Sequence, residues 1–177
     1  MKTAENVDAK GERMFQNKYL NIAALSVSAI AYAAAWLTEN WILFLIGLPC
    51  FLNLIILVHE CGHAVFCRLN GNTVTSIKIP FLTVKKGSVQ INTKPDFNSY
   101  CAFIRSKDDA LVYVGGPLFS LFLSFALFAL WVLTAHFTAL LSTLVALLHF
   151  LKNLIPLGGS DARMLAVELK KRRTSGR

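Results

Sequence analysis

Charge is what this chain has least of. Only 16% of its 177 residues are Asp, Glu, Lys or Arg, and just 10 are acidic. A soluble domain carries nearer a quarter, so a water-exposed globule is excluded as the simplest reading. From Leu111 to Leu151 there are 41 residues without one charged side chain. The four cysteines have no paired spacing, which excludes a disulfide frame or a zinc ribbon; small buried hydrophobes are the default for Cys50, Cys61, Cys67 and Cys101. No repeat or low-complexity tract is present.

Hydrophobic residues fill the gap, at 55% of the chain with a mean hydropathy of +0.52. Leu20 to Leu37 and Trp41 to Val58 are each 18 residues without a charge. A helix crosses the hydrocarbon in about 20 residues, so the 41-residue stretch reads as two spans with a tight turn near "LTAHFT". The expectation is four transmembrane helices.

The net charge of +8 does not point to nucleic acid, because the basic residues are spread along loops and tails and are not interleaved with aromatics. Counted by segment, Lys and Arg run 4 before the first span, 0 in "TEN", 7 from Arg68 to Lys107, 0 near His136 and 7 from Lys152 to Arg177. That alternation is the signature of a multi-pass cell-membrane protein with both termini and the central loop in the cytoplasm. The tail "KKRRTSGR" reads as a solvated or lipid-facing basic end. A cleaved signal peptide ending at "AYAAA" is the alternative for the first span, although its leader is long and contains Glu5, Asp8 and Glu12. The loop from Leu69 to Asp109 alternates in "TVTSIKI" and turns at "VKKGSV", which predicts a small β-hairpin at the membrane surface; an irregular connector is the other reading.

Into the second apolar segment the chain places "LIILVHECGHAVFC". A charge at mid-membrane costs about 2.5–3.5 kcal/mol on insertion scales, so a cluster there points to function. Positions four apart share a helix face, so His59 and His63 can offer nitrogens to one metal ion. Glu60 beside them is placed as general base, taking a proton from water that a zinc ion acidifies. Cys61 points away, and Cys67 is about 12 Å along the axis from His59, too far to share the ion comfortably.

Catalytic zinc usually has three protein ligands. His136 is excluded by lying at the opposite face of the membrane. His149 is possible, although a lone His in a bundle is more often a hydrogen-bonded packing residue. Asp161 fits better. "NLIPLGGSDARMLAVELKK" breaks a helix at Pro156, Gly158 and Gly159 and offers Ser160 as the N-cap of another. Asp161 to Lys170 and His59 to Arg68 are both nine residues, so the two candidate ligands sit at matching depth if both cations mark one surface. Lys152 is out of place in this scheme, only 15 residues past Phe137. It requires snorkelling or a partner in the site. Gly116, Ser120 and Ser124 form a small-residue stripe, read first as helix packing and second as shaping substrate access.

These segments resemble the site-2 protease family of intramembrane zinc metalloproteases, over roughly residues 41 to 165. "HECGH" is similar to the family's HExxH, "GGPLFS" to its glycine-proline motif, and "NLIPLGGSD" to its second zinc motif. The resemblance implies His59, His63 and Asp161 as zinc ligands, Glu60 as catalytic base, and Asn153, Gly116 and Pro117 as substrate-positioning residues. Two positions depart from the pattern: Ala162 follows the Asp where the family usually has Gly, and Ser120 stands where Asn is usual.

The expected architecture is an all-α integral membrane protein with a three-helix metalloprotease core and one N-terminal span. It divides into a tail (1–19), an accessory span (20–37), the core (41–165) and a basic tail (166–177). The expected activity is hydrolysis of a membrane-associated protein or small precursor peptide, with the loop hairpin holding substrate by strand addition and selection by the core or a partner protein. A catalytically inactive scaffold of the same fold and a metal-handling membrane protein are the alternatives. Against a channel or carrier, the ionisable residues gather at one end of the helices.

Overall fold

Two short turns set the helical frame, and each contains a residue forced into the left-handed region. Glu39 (φ 53°) ends α1 (Glu5–Thr38), and Ala135 (φ 56°) ends α3 (Ala110–Thr134). This conformation costs a non-glycine residue roughly 1–2 kcal/mol, and it is what lets a helix stop and reverse within two residues. The Asn40 side chain then accepts from the Ile42 and Leu43 amides and starts α2 (Trp41–Leu69). α4 (Phe137–Leu154) follows Ala135 and His136. The computed structural model describes residues 5–85, 88–92, 99–104, 110–158 and 160–174.

Four helices are long and apolar enough to cross a membrane: Lys18–Thr38, Trp41–Leu69, Ala110–Thr134 and Phe137–Leu154. Leu20, Ile30, Leu37, Phe122, Phe125, Leu133 and Leu148 are all exposed on the bundle. So large an apolar surface is compatible with a multi-pass membrane protein and ill suited to water. α1 begins at Glu5, so most of the stretch taken as an N-terminal tail continues the first helix. The "AYAAA" alanines lie mid-helix, with Ala31 and Ala35 buried.

α2 packs against both α1 and α3, and α3 against α4. A core of Ala35, Phe44, Phe51, Ile55 and Ala146 joins α1, α2 and α4. Thr138 donates to the Ala35 carbonyl at 2.9 Å, and Tyr32 and Ser142 hydroxyls meet at 2.8 Å. At one end His136 Nδ1 lies 3.3 Å from Glu39 Oε1, so both short turns share that end.

The central loop corrects the expected hairpin. It forms a four-stranded antiparallel sheet in the order β3-β2-β1-β4: β1 (Thr73–Lys78), β2 (Leu82–Lys85), β3 (Ser88–Ile91) and β4 (Tyr100–Ile104). The anticipated pairing exists as β2–β3, with Val84 opposite Val89. An isolated hairpin is marginal, and β1 and β4 supply the partners it needs. Asn92 ties the sheet down: it donates to the Ile79 carbonyl at 2.9 Å, and its own carbonyl accepts from Asn21 of α1 at 2.9 Å. Lys86 and Gly87 of the expected turn, Gly159, and Lys2, Lys94, Arg105, Lys107 and Arg177 of the charge count lie outside the described residues.

After α4 the chain turns through Gly158 (φ 56°), and a last helix α5 (Asp161–Thr174) begins. Ser160 caps it as expected, accepting from the Arg163 amide at 3.4 Å. This helix crosses the boundary drawn at residue 165 between core and tail. It packs on α3 and α4.

Candidate metal centre

The four-residue spacing stacks the His59 and His63 rings on one face of α2, with centroids 4.8 Å apart. Their Nε2 atoms are 3.2 Å apart. The start of α5 brings Asp161 to the same point: Oδ2 lies 2.9 Å from His59 Nε2, and Oδ1 lies 3.2 Å from His63 Nε2. All three ligand atoms fall within 4.8 Å of one another, and both histidines are buried. This group can hold a metal ion.

The other ring nitrogens fix how the group is used. His63 Nδ1 is 2.7 Å from the Val112 carbonyl of α3, which can only accept, so the ring hydrogen belongs on Nδ1. In the neutral ring Nε2 is then a bare lone pair, and it faces a carboxylate oxygen and a second imidazole. His59 Nδ1 is held 2.9 Å from Ser120 Oγ. Histidines anchored at one nitrogen and converging through the other are the usual arrangement around a metal, where the anchor sets tautomer and orientation. Two nitrogens and a carboxylate oxygen converge on one point, and the residues fit a divalent metal.

Glycine makes the room. A Cβ on Gly116 would run into the His63 ring and lie 2.7 Å from His59 Nε2. One residue earlier, Gly115 meets Gly62 backbone to backbone: a Cβ on Gly115 would lie 2.5 Å from the Gly62 carbonyl oxygen. α2 and α3 can thus approach closely enough for α3 to reach both imidazoles. Pro117 is buried in the same turn of α3.

The cluster opens on a cavity of about 1050 Å³. Glu60 lines it, buried, with no hydrogen-bond partner for Oε2 among the described residues. Ser99 reaches the Glu60 carboxylate, and Ser99, Tyr100, Cys101 and Phe103 at β4 form part of the wall. Burial and the nearby Glu60 push the Cys101 thiol up to about 12, so it remains protonated.

The remaining sequence candidates separate cleanly. His136 is at the far end beside Glu39. His149 stands outside the ligand group but packs edge-on to His59, with centroids 5.0 Å apart, and lines the cavity. Asn153 also lines the cavity and donates to the His149 carbonyl at 3.0 Å. No cysteine belongs to the ligand group. Sequence reasoning missed Val112, Ser99 and the partnership of Ser120 with His59. Only Ser120 left a signal, as the next small residue of the stripe that begins at Gly116.

No family model, curated protein or solved structure matches the chain. Its function must be argued from the site itself. The site offers three convergent side chains that could hold a metal, a carboxylate with one unpartnered oxygen one residue from the first, and a cavity of about 1050 Å³.

Proposed function

We propose that the chain is an intramembrane zinc metalloprotease, hydrolysing a peptide bond of a membrane-associated protein or small precursor peptide. The observation that carries this reading is the coincidence of the His59, His63 and Asp161 group with the buried, unpartnered oxygen of Glu60 on one cavity wall. Two imidazoles and one carboxylate form a donor set that suits catalytic zinc, which keeps a further position open. A zinc ion there supplies Lewis acidity, polarising a carbonyl and acidifying water.

The protein residues do the rest. His59, His63 and Asp161 would hold the ion, with the imidazoles anchored by Ser120 and the Val112 carbonyl. Glu60 accepts the proton of the attacking water at its free oxygen and returns it to the leaving amine. The apolar wall of Leu52, Ile56, Val145 and Leu148 receives the side chains of a substrate entering from lipid. A helical substrate must unwind to expose its carbonyls. β4 lies at the edge of the sheet, without a strand on its outer side among the described residues, and it lines the cavity; an unwound peptide can add there as a further strand. The charge alternation supports both termini lying in the cytoplasm. Reporter fusions at Arg177 and Glu39 are expected to report opposite compartments, and agreement between them would contradict the span count.

Glu60→Gln tests the mechanism, because it keeps shape and polarity and leaves the three ligands untouched. Zinc content and membrane insertion are expected to persist, while cleavage of a co-expressed membrane substrate falls by about 10²–10⁴-fold. Full cleavage by Glu60→Gln would refute the mechanism.

A further inference from the structure

We infer that His149 is a further catalytic residue, donating its ring N–H to the carbonyl oxygen of the scissile peptide. The inference rests on the metalloprotease reading above. Peptide hydrolysis builds negative charge on that oxygen, and a second donor beside the metal is worth as much as an oxyanion-hole group. His149 has the right placement. It lines the cavity with Glu60 and Asp161, and its ring lies edge-on to the His59 ring at 5.0 Å.

It also has an unused hydrogen. Nδ1 is enclosed with no partner among the described residues, and Nε2 has no hydrogen bond to one either, so Nε2 is the nitrogen that can carry the ring hydrogen toward the cavity. A histidine kept for packing normally spends its N–H on an acceptor, since burying it unpaired costs about 1–3 kcal/mol. Carried on Nε2, that hydrogen is left unpaired on the wall of the site and is available to substrate. The rival donors are less well placed. Asn153 turns its amide back onto the His149 carbonyl, Ser99 is engaged with Glu60, and Lys152, although it also lines the cavity, is exposed to solvent at the end of α4. The Asn153 bond closes the last turn of α4 over His149. Asn153 therefore supports the backbone that presents the imidazole.

The test begins with a substrate whose cleavage is abolished by Glu60→Gln, so that failure of the protease reading is recognised first and separately. His149→Phe then keeps a ring against His59 and removes the donor, whereas His149→Gln retains an N–H. For His149→Phe, kcat is expected to fall about 10²–10³-fold with little change in KM and with zinc content unchanged. His149→Gln should recover part of the loss. Independently of turnover, dimethylphosphinate serves as a tetrahedral oxyanion probe for the cobalt(II)-loaded protein, read from the visible bands of the metal. Its affinity is expected to fall at least tenfold in His149→Phe, about 1.4 kcal/mol. Wild-type kcat or unchanged phosphinate affinity in His149→Phe would reduce His149 to packing, and loss of zinc would make it a ligand. Either result overturns the inference.

Discussion

Where α1 meets α2, Gly47 lies close against the Tyr32 backbone, and aromatic rings pack beside it. Tyr32 stacks on Phe51 at 5.1 Å and tilts against Phe44 at 6.1 Å. Where α2 meets α3, the closest approach is Gly62 against Gly115, and imidazoles fill the rest. Both seams use a glycine to bring backbones together. They differ in what becomes of the polar groups. In the first, hydroxyls close on partners within the bundle: Ser28 accepts from the Cys50 amide at 2.9 Å, and Tyr32 meets Ser142. In the second, polar groups converge on a common point and keep oxygens and nitrogens unspent, at Glu60 and His149. One seam is complete as packing. The other leaves three side chains that could hold a metal ion beside an open cavity, which is where the proposed zinc and substrate would sit.

Substitutions at matched depth should separate the two. The largest effect on the site is expected from Gly116→Ala, whose methyl group would occupy the space of the His63 and His59 ring ends. Ring ends can swing aside, so the fold should persist while metal affinity falls by more than the roughly 100-fold that loss of an outer hydrogen bond costs. Equal metal affinity in Gly116→Ala would mean the rings do not converge as described. Phe51→Ala probes the other seam. In a bilayer little transfer energy is at stake, so the cost is the cavity and the lost ring contacts, about 2 kcal/mol, with metal bound per folded chain unchanged. Denaturation of the detergent-solubilised variant measures the first quantity and elemental analysis the second; metal loss in proportion to stability would merge the two seams into one. The smallest effect belongs to Ser120→Ala, which frees His59 Nδ1 and should weaken metal binding about 10–100-fold. A competition titration with a zinc chelator reads this directly, and wild-type affinity would deny Ser120 its anchoring role.

The difference between the seams also explains what could be read from sequence. His59, Glu60 and His63 were legible because helical spacing is local, and their cost in an apolar segment marks them. Asp161 was legible through counting: equal numbers of residues to Arg68 and Lys170 placed it at the depth of His59, where the structure has it. Ser120, Val112 and Gly115 act across a helix crossing, and the register of two helices is not written in either. β4 was missed for a related reason. "YCAFI" is five residues long, and its identity as a strand depends on pairing with the distant β1, where Ser76 lies opposite Ala102. His149 was visible as a residue, but its unpaired ring became visible only with its surroundings.

His59, His63 and Asp161 are proposed to hold one zinc ion. Elemental analysis of the protein purified in detergent, alongside the His59→Ala/His63→Ala variant, tests it most directly. About one zinc per chain is expected in the wild type and none in the double variant, because the variant keeps only one of the three ligands. Wild-type protein without zinc, or equal zinc in both preparations, would contradict the account.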